Sequence, residues 1–356
     1  MFAWIRARFG KRRVAPAARV TAARSSATGT KPAGEGAARA GRSEPLSLTD
    51  MLKDVIDDLG GPMVELDPEQ WTSLASRIEE LAVHAPPPPS FPVVASQVVA
   101  LANKPDLDLN QLVGLVSRDA AIASSLLRVA NSVAFSPAAP VTTLRDAIGM
   151  LGIKHVVEVV LGTAGRSYYN VATRAELELY PLLWQTMFDE AMANAFSAGR
   201  LALDVREARG ERALLAGLLV DVGRPIALRM LSRLIIGAHG MPGIEKPSDA
   251  VVLATLDEVA PSLGKRVIAA LGLPEELASA CIVDLERPTP DAQIARLIGA
   301  IGAIQRRSPR LWSSAGDVRA ASERLGLEPR FVRALFAQRT QDVISAAQMF
   351  SANQPN

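Results

Sequence analysis

The chain has 356 residues, of which 49% are hydrophobic and 21% charged, so wholesale disorder and collagen-like repetition are excluded. The formal net charge is +2, and the single cysteine, Cys281, has no partner for an internal disulfide. A secreted, disulfide-stapled scaffold is therefore out, and a reducing cytoplasm is the expected setting.

That net charge averages two unlike regions. Residues 1–44 hold ten Lys and Arg against Glu35 and Glu44, a balance of +8, while the rest, with 29 basic and 35 acidic residues, is −6. Residues 1–45 are rich in Ala, Arg, Gly, Ser and Thr and lack apolar periodicity. They read as a disordered basic arm, because such a segment buries too little surface to offset its chain entropy. The arm is either a plain solvated tail or a contact for nucleic acid or an anionic membrane surface. Its opening, MFAWIRARFGKRR, is too broken by Arg for a signal-peptide core, although the Arg-rich, acid-poor start is similar in composition to a transit peptide. The longest charge-free run beyond the arm, Leu81–Asn103, contains five prolines, so no membrane span is expected.

Residues 46–84 predict a two-helix prelude. Ser47 with Asp50 forms a capping pair before Leu48, Met51, Leu52, Val55 and Leu59, and Gly60-Gly61 ends that helix. Asp67 and Pro68 open a second, with Trp71, Leu74, Ile78 and Leu81 on one stripe. The Pro86–Pro89 run marks a domain boundary. Beyond it, helices are expected over 92–102, after Asp108, after Asp119 and from the Thr143/Asp146 capping box onward. HVVEVVL is β-branched enough for a strand but has no strand partner or hairpin turn nearby, so it too reads as helix. Long helices are predicted near 175–203 and 211–236, and shorter ones near 248–258, 261–271, 274–285, 290–307, 315–325 and 328–348. The expectation is an all-α, multi-helical bundle, with a main domain over 85–288 and C-terminal helices over 289–356 packing on it.

Candidate chemistry is sparse. There is no GxGxxG, GxxxxGK[ST], CxxC, HExxH or GxSxG. His84, His155 and His239 are the only imidazoles; they are expected beside the proline run, at a helix start and in a Gly-rich turn. Asp221, within ALLAGLLVDVGRPIAL, stands out, because a carboxylate among apolar residues must be paired, hydrogen-bonded or metal-bound. The plain reading is a pair with Arg224 or a cap on the helix restarting at Pro225; the functional reading is a ligand.

Several stretches together carry a resemblance. PPPPSFPVVASQVVAL, SRDAAIASSLLRVANS with its Ala130-Asn131-Ser132 triplet, PVTTLRDAIGMLG, Leu183-Trp184, AGLLVDVGR and LGLPEELASAC occur in order between Pro86 and Pro288. This pattern resembles the HDOD domain, the HD-related output domain of bacterial signalling proteins. The resemblance implies an all-α fold related to HD-type metal phosphohydrolases, whose metal site uses several His and a His-Asp pair. Here Val220 stands where that pair has its His, leaving Asp221 alone. Thr186 and Met187 follow Trp184, Glu258 lies in EVAPSLG without a His, and Val283-Asp284-Leu285 replaces a His pair. The resemblance thus implies no metal, no cofactor and no catalysis: a regulatory protein that binds a protein partner or a small signalling ligand, with Asp221, Trp184 and Glu258 marking a vestigial site. Two alternatives stand. Asp221, Glu258 and Asp284 can regroup around a hard cation such as Mg²⁺ in a phosphohydrolase. Alternatively, the arm and nine Arg between 291 and 340, against four acids, can bind nucleic acid.

Overall fold

The computed structural model of the chain describes residues 47–62, 66–84, 91–102, 104, 107–132, 135, 137, 139–169, 173–237, 242–281 and 288–351. The basic arm, the Pro86–Pro89 run, His239 and Val283-Asp284-Leu285 lie outside these residues. Every regular element among the described residues is a helix. In chain order they are α1 (Leu48–Leu59), α2 (Glu69–Val83), α3 (Val93–Ala102), α4 (Leu109–Val116), α5 (Ala120–Ala130), α6 (Leu144–Tyr169), α7 (Arg174–Leu179), α8 (Pro181–Leu201) and α9 (Gly210–Leu219). There follow α10 (Gly223–Ile236), α11 (Asp249–Ala270), α12 (Glu275–Cys281), α13 (Pro290–Gln305), α14 (Leu311–Arg324) and α15 (Pro329–Ala346), closed by a π-helical turn over Ala347–Ser351.

The caps follow the local chemistry. Ser47 accepts from the Asp50 amide at 3.1 Å, and Asp119 accepts from the amides of Ala121 and Ile122 at 2.9 and 3.0 Å. Thr143 accepts from the Asp146 amide at 3.1 Å. HVVEVVL is helical within α6, which bends at Gly152 (φ 70, ψ 163), so His155 falls in the first turn after the bend. Asn131 explains part of the Ala-Asn-Ser triplet. Its amide donates to the carbonyls of Leu127 and Val141 and its carbonyl accepts from the Val141 amide, each at 2.8 Å, closing the loop between α5 and α6.

Three helix boundaries differ from the expected ones. The helix expected over 175–203 is broken at Tyr180 (φ −140, ψ 62), because the residue before Pro181 is disfavoured in helical geometry. The one expected over 211–236 is divided by a turn at Val220-Asp221-Val222 and restarts at Gly223 rather than Pro225. Conversely, 248–258 and 261–271 are one helix with Pro261 inside it. Val252, Leu256, Val259, Leu263 and Val267 make a continuous buried stripe across the proline, and their burial offsets the roughly 3 kcal/mol a mid-helix proline costs.

Two apolar clusters organise the packing. The larger joins α2 through α12, and α2 enters it through Ala75, Ile78 and Ala82. The second joins Met51, Leu52, Val55 and Ile56 of α1 to Ile294, Ile298 and Ile301 of α13, Val318 of α14 and Phe336 of α15. The two prelude helices therefore serve different cores. By length and composition α6 is apolar enough to cross a membrane, a helix that a search of charge-free runs passes over; 61% of its apolar window is buried inside the fold. Beyond its exposed first turn, α8 is buried on all sides, with every residue from Thr186 to Ala198 inside.

Gly223 shows how closely these helices approach. A Cβ there would fall 2.0 Å from the Ala260 carbonyl oxygen and 2.7 Å from the Gly264 nitrogen, so α10 meets α11 backbone to backbone. Gly223→Ala is expected to cost about 3 kcal/mol by forcing the helices apart, read as a lower midpoint in urea unfolding.

Candidate functional site

The buried stretch of α8, Thr186–Ala198, is apolar except at Thr186, Asp189, Glu190, Asn194 and Ser197. Glu190, Asn194 and Ser197 are spaced four and three apart, which places them on one face. Groups this deep must find partners, and they meet side chains from four other places in the chain. The α9–α10 turn and the start of α10 supply Asp221 and Arg224, α11 supplies Asp257, the end of α13 supplies Gln305 and Arg306, and α15 supplies Arg339 and Asp342.

Arg306 is the hub. It is 7% exposed, and its guanidinium lies 3.2 Å from Glu190, 3.1 Å from Asp221 and 3.7 Å from Asp257. Asp257 also pairs with Arg224. Asn194 donates to Asp221 at 3.2 Å and accepts from Arg339 Nε at 2.8 Å, and Arg339 Nη1 donates to Gln305 at 2.7 Å. The network continues to Asp342, which accepts from Ser197 at 2.6 Å and pairs with Arg200.

Burial alone would raise the Asp221 carboxyl, but Arg306, Arg224 and Arg339 outweigh it and hold it below the usual carboxylate value. Burial would also discharge Arg306, yet Asp221, Asp257 and Glu190 raise it above the ordinary guanidinium value. Arg339 is pushed down to about 10 by burial and by Arg306, with Glu190, Asp221 and Asp342 opposing, and stays protonated at neutral pH. Burial pushes the Cys281 thiol up to about 12, helped by Asp291, which disfavours the thiolate at neutral pH.

Beside the hub lies a cavity of about 340 Å³. Asp221, Arg224, Asp257 and Arg306 line one part, and Ala260, Ile268, Cys281 and Ala300 an apolar part. Lys265, Arg296 and Asp317 also contribute. Among the described residues, Arg224 Nε, Arg306 Nε and Asp257 Oδ2 have no hydrogen-bond partner.

The residues singled out from sequence divide. Asp221 sits in the cluster, but its partner is Arg306, 85 positions away, rather than Arg224, which is taken by Asp257. Glu258 lies outside it: its side chain is 40% exposed and pairs with Arg310 at 3.2 Å. One residue earlier, about 100° round the helix, Asp257 reaches the cavity. Trp184 is buried elsewhere, its indole N–H donating to the Glu176 carbonyl at 3.2 Å and tying α8 to α7. His84 is exposed. The His155 Nδ1 lies 2.9 Å from the Leu151 carbonyl and its ring packs edge-on against Phe135.

Sequence reasoning passed over Glu190, Asn194 and Asp257, and took Arg306 and Arg339 only as two of the nine C-terminal arginines offered to nucleic acid. The signal that could have found the α8 members was polar spacing inside an otherwise apolar helix. The C-terminal arginines are largely spent on the protein itself. Arg296 pairs with Asp317 at 2.7 Å, Arg310 with Glu258, and Arg333 with Asp58 at 3.1 Å, while Arg307 donates to the carbonyls of Gly60 and Gly61 at 2.7 Å. Arg306 and Arg339 are buried, and Arg319, Arg324 and Arg330 are exposed.

These donors do not fit a divalent metal. Val220 has no lone pair to offer, and the three carboxylates around the hub already hold a guanidinium within 3.7 Å. No group of three or more His, Cys, Asp or Glu suited to a metal occurs among the described residues.

Two stability predictions follow from the charges. Arg306→Leu strips Glu190 of its guanidinium and leaves Asp221 with Asn194 and Asp257 with Arg224 alone, and is expected to cost about 3–5 kcal/mol at neutral pH. Because the folded-state pKa of Asp221 is depressed, its contribution is present above the unfolded value and lost as pH falls through the folded one. The deficit of the variant in urea unfolding should therefore shrink below about pH 4. Glu158 behaves oppositely. Burial raises its pKa against the opposing charges of His155, Lys154 and Arg200, with Asp342 adding to the rise. Its stabilising contribution is present below the unfolded value and lost as pH rises through the folded one. Glu158→Gln should thus melt higher than wild type at about pH 8 and no higher at about pH 4.

The HDOD domain profile matches residues 89–283, more than half of the chain. An HDOD domain protein of unknown function from Geobacter sulfurreducens superposes with a TM-score of 0.54 at 17% identity, covering 78% of this chain and 99% of that one. A Marinobacter aquaeolei VT8 protein, provisionally described as a signal transduction protein, gives a TM-score of 0.46 at 21% identity, covering 85% of this chain and 65% of that one. An uncharacterized protein of Treponema pallidum (strain Nichols) is 24% identical over 160 residues, 43% of this chain. That match spans 27% of the relative's own length. The chain belongs to the HDOD domain family.

Proposed function

We propose that the chain is a non-catalytic HDOD regulatory protein that acts by binding, with a protein partner or a small signalling ligand as its target. The observation that carries this reading is the occupation of the carboxylate cluster by Arg306. Glu190, Asp221 and Asp257 come from three separate elements and converge on one guanidinium. Removing a charge from such a pair exposes the rest as uncompensated buried charge, so the cluster favours keeping its own cation over admitting another. With Val220 in place of an imidazole, and Cys281 held protonated, the site offers neither a metal ligand set nor an activated nucleophile. A rigid charge network beside a partly apolar cavity suits recognition of a ligand, and the family's signalling context supports a regulatory role.

Metal analysis of the purified full chain, paired with phosphodiesterase and nucleotidase assays in added Mn²⁺ or Mg²⁺, tests the reading. No stoichiometric metal and no turnover above that of Asp221→Ala are expected. Stoichiometric metal together with turnover that disappears in Asp221→Ala would overturn it.

A further inference from the structure

A second, smaller cavity lies away from the Arg306 cluster, where the C-terminal turn meets α5 and α6. After α15 the chain places Phe350 into the fold at 8% exposure. Its ring stands edge-on to Phe188 at 5.6 Å and covers Gly162, where a Cβ would come within 2.7 Å of the ring. Arg166 fastens this contact. Its Nη2 donates to the Phe350 carbonyl at 2.6 Å, and its guanidinium carbon lies 4.9 Å from the centre of the Phe188 ring.

The cavity beside this turn measures about 140 Å³ and is lined by Ser125, Arg128, Val129, Arg166, Met349 and Phe350. That is several times the ~30 Å³ share of one water. Two arginines thus line one small space whose lining, among the described residues, holds a hydroxyl and no carboxylate. Arg128 reaches Ser125 Oγ at 3.4 Å, a long contact that, among the described residues, leaves most of its five donors unspent. Burial, together with the nearby Arg128, lowers the Arg166 pKa, and the opposing charge comes from Asp189, which does not line the cavity. Like charges held this way are relieved by an anion between them. Paired guanidiniums plus a hydroxyl match the several acceptor oxygens of a phosphoryl group.

We propose that this cavity binds a tetrahedral oxyanion, inorganic phosphate or the phosphoryl group of a small phosphomonoester, and that the site is complete only when Phe350 is docked. Met349 and Phe350 form part of its wall, so the anion and the docked turn stabilise one another by linkage. Arg166 serves both, with one N–H on the Phe350 carbonyl and others toward the anion. This site is independent of the Arg306 cluster and of the role proposed for it.

The test is calorimetric titration and thermal melting of the full chain with inorganic phosphate against chloride at matched ionic strength, with O-phosphoserine as the second probe. Saturable binding of phosphate, with a rising melting temperature, is expected. Arg128→Ala, at an exposed position, should fold as wild type does and weaken binding roughly tenfold or more. Phe350→Ala should weaken it while Arg128 and Arg166 remain in place. If that variant fails to fold, hydrogen exchange in the wild type reads the same coupling, because phosphate should slow exchange of the amides over 347–351. A response to phosphate alone assigns the free anion, and a response to O-phosphoserine as well assigns the phosphomonoester class. No phosphate binding by wild type, or binding undiminished in Arg128→Ala, overturns the site. Unchanged exchange over 347–351 overturns its coupling to the turn.

Discussion

Arg306 ends α13 and meets carboxylates from α8, from the α9–α10 turn and from α11. Taking a guanidinium and three carboxylates out of water costs several kcal/mol per ion, and only close mutual pairing repays it. The arrangement therefore fixes the relative positions of helices far apart in sequence. It also determines the protonation of its members, keeping Asp221 ionised and Arg306 charged.

Around that hub the remaining polar groups are ordered in series. Asn194 bridges Asp221 and Arg339 with its two amide ends, and Arg339 passes the network to Gln305. Asp342 anchors its far end through Ser197 and Arg200. Apolar packing supplies most of the driving force, but it is tolerant of sliding; hydrogen bonds between fully buried groups are not. The backbone contact of Gly223 on Ala260 and Gly264 adds a steric constraint at the turn that carries Asp221. Charge, hydrogen bonding and close approach thus hold the same few residues in place.

For function, the consequence is a site that resembles a metal centre in composition and differs from one in occupancy by its own arginine. In that cluster the Arg306 guanidinium balances the charge of Glu190, Asp221 and Asp257. What it leaves is a firm wall for a cavity of about 340 Å³. Away from that hub, the C-terminal turn is held by Phe350 and Met349 in the larger apolar cluster and by the Arg166 hydrogen bond to the Phe350 carbonyl.

Much of this was legible in the chain itself, and the limits have clear causes. Helical class, the capping residues Ser47, Asp119 and Thr143, and the family pattern are local properties, because caps and apolar periodicity act over three or four residues. Helix boundaries were less readable where a local rule met a tertiary one. Pro261 suggests a break, yet the buried stripe from Val252 to Val267 carries the helix through it. The sequence by itself determined that Asp221 needed a partner and that Val220 could not ligate a metal. Only the tertiary structure decided that the partner is Arg306 rather than the nearby Arg224, and that Asp257 rather than Glu258 faces the cavity. Pairing across 85 residues depends on how whole helices pack, and no local spacing encodes it.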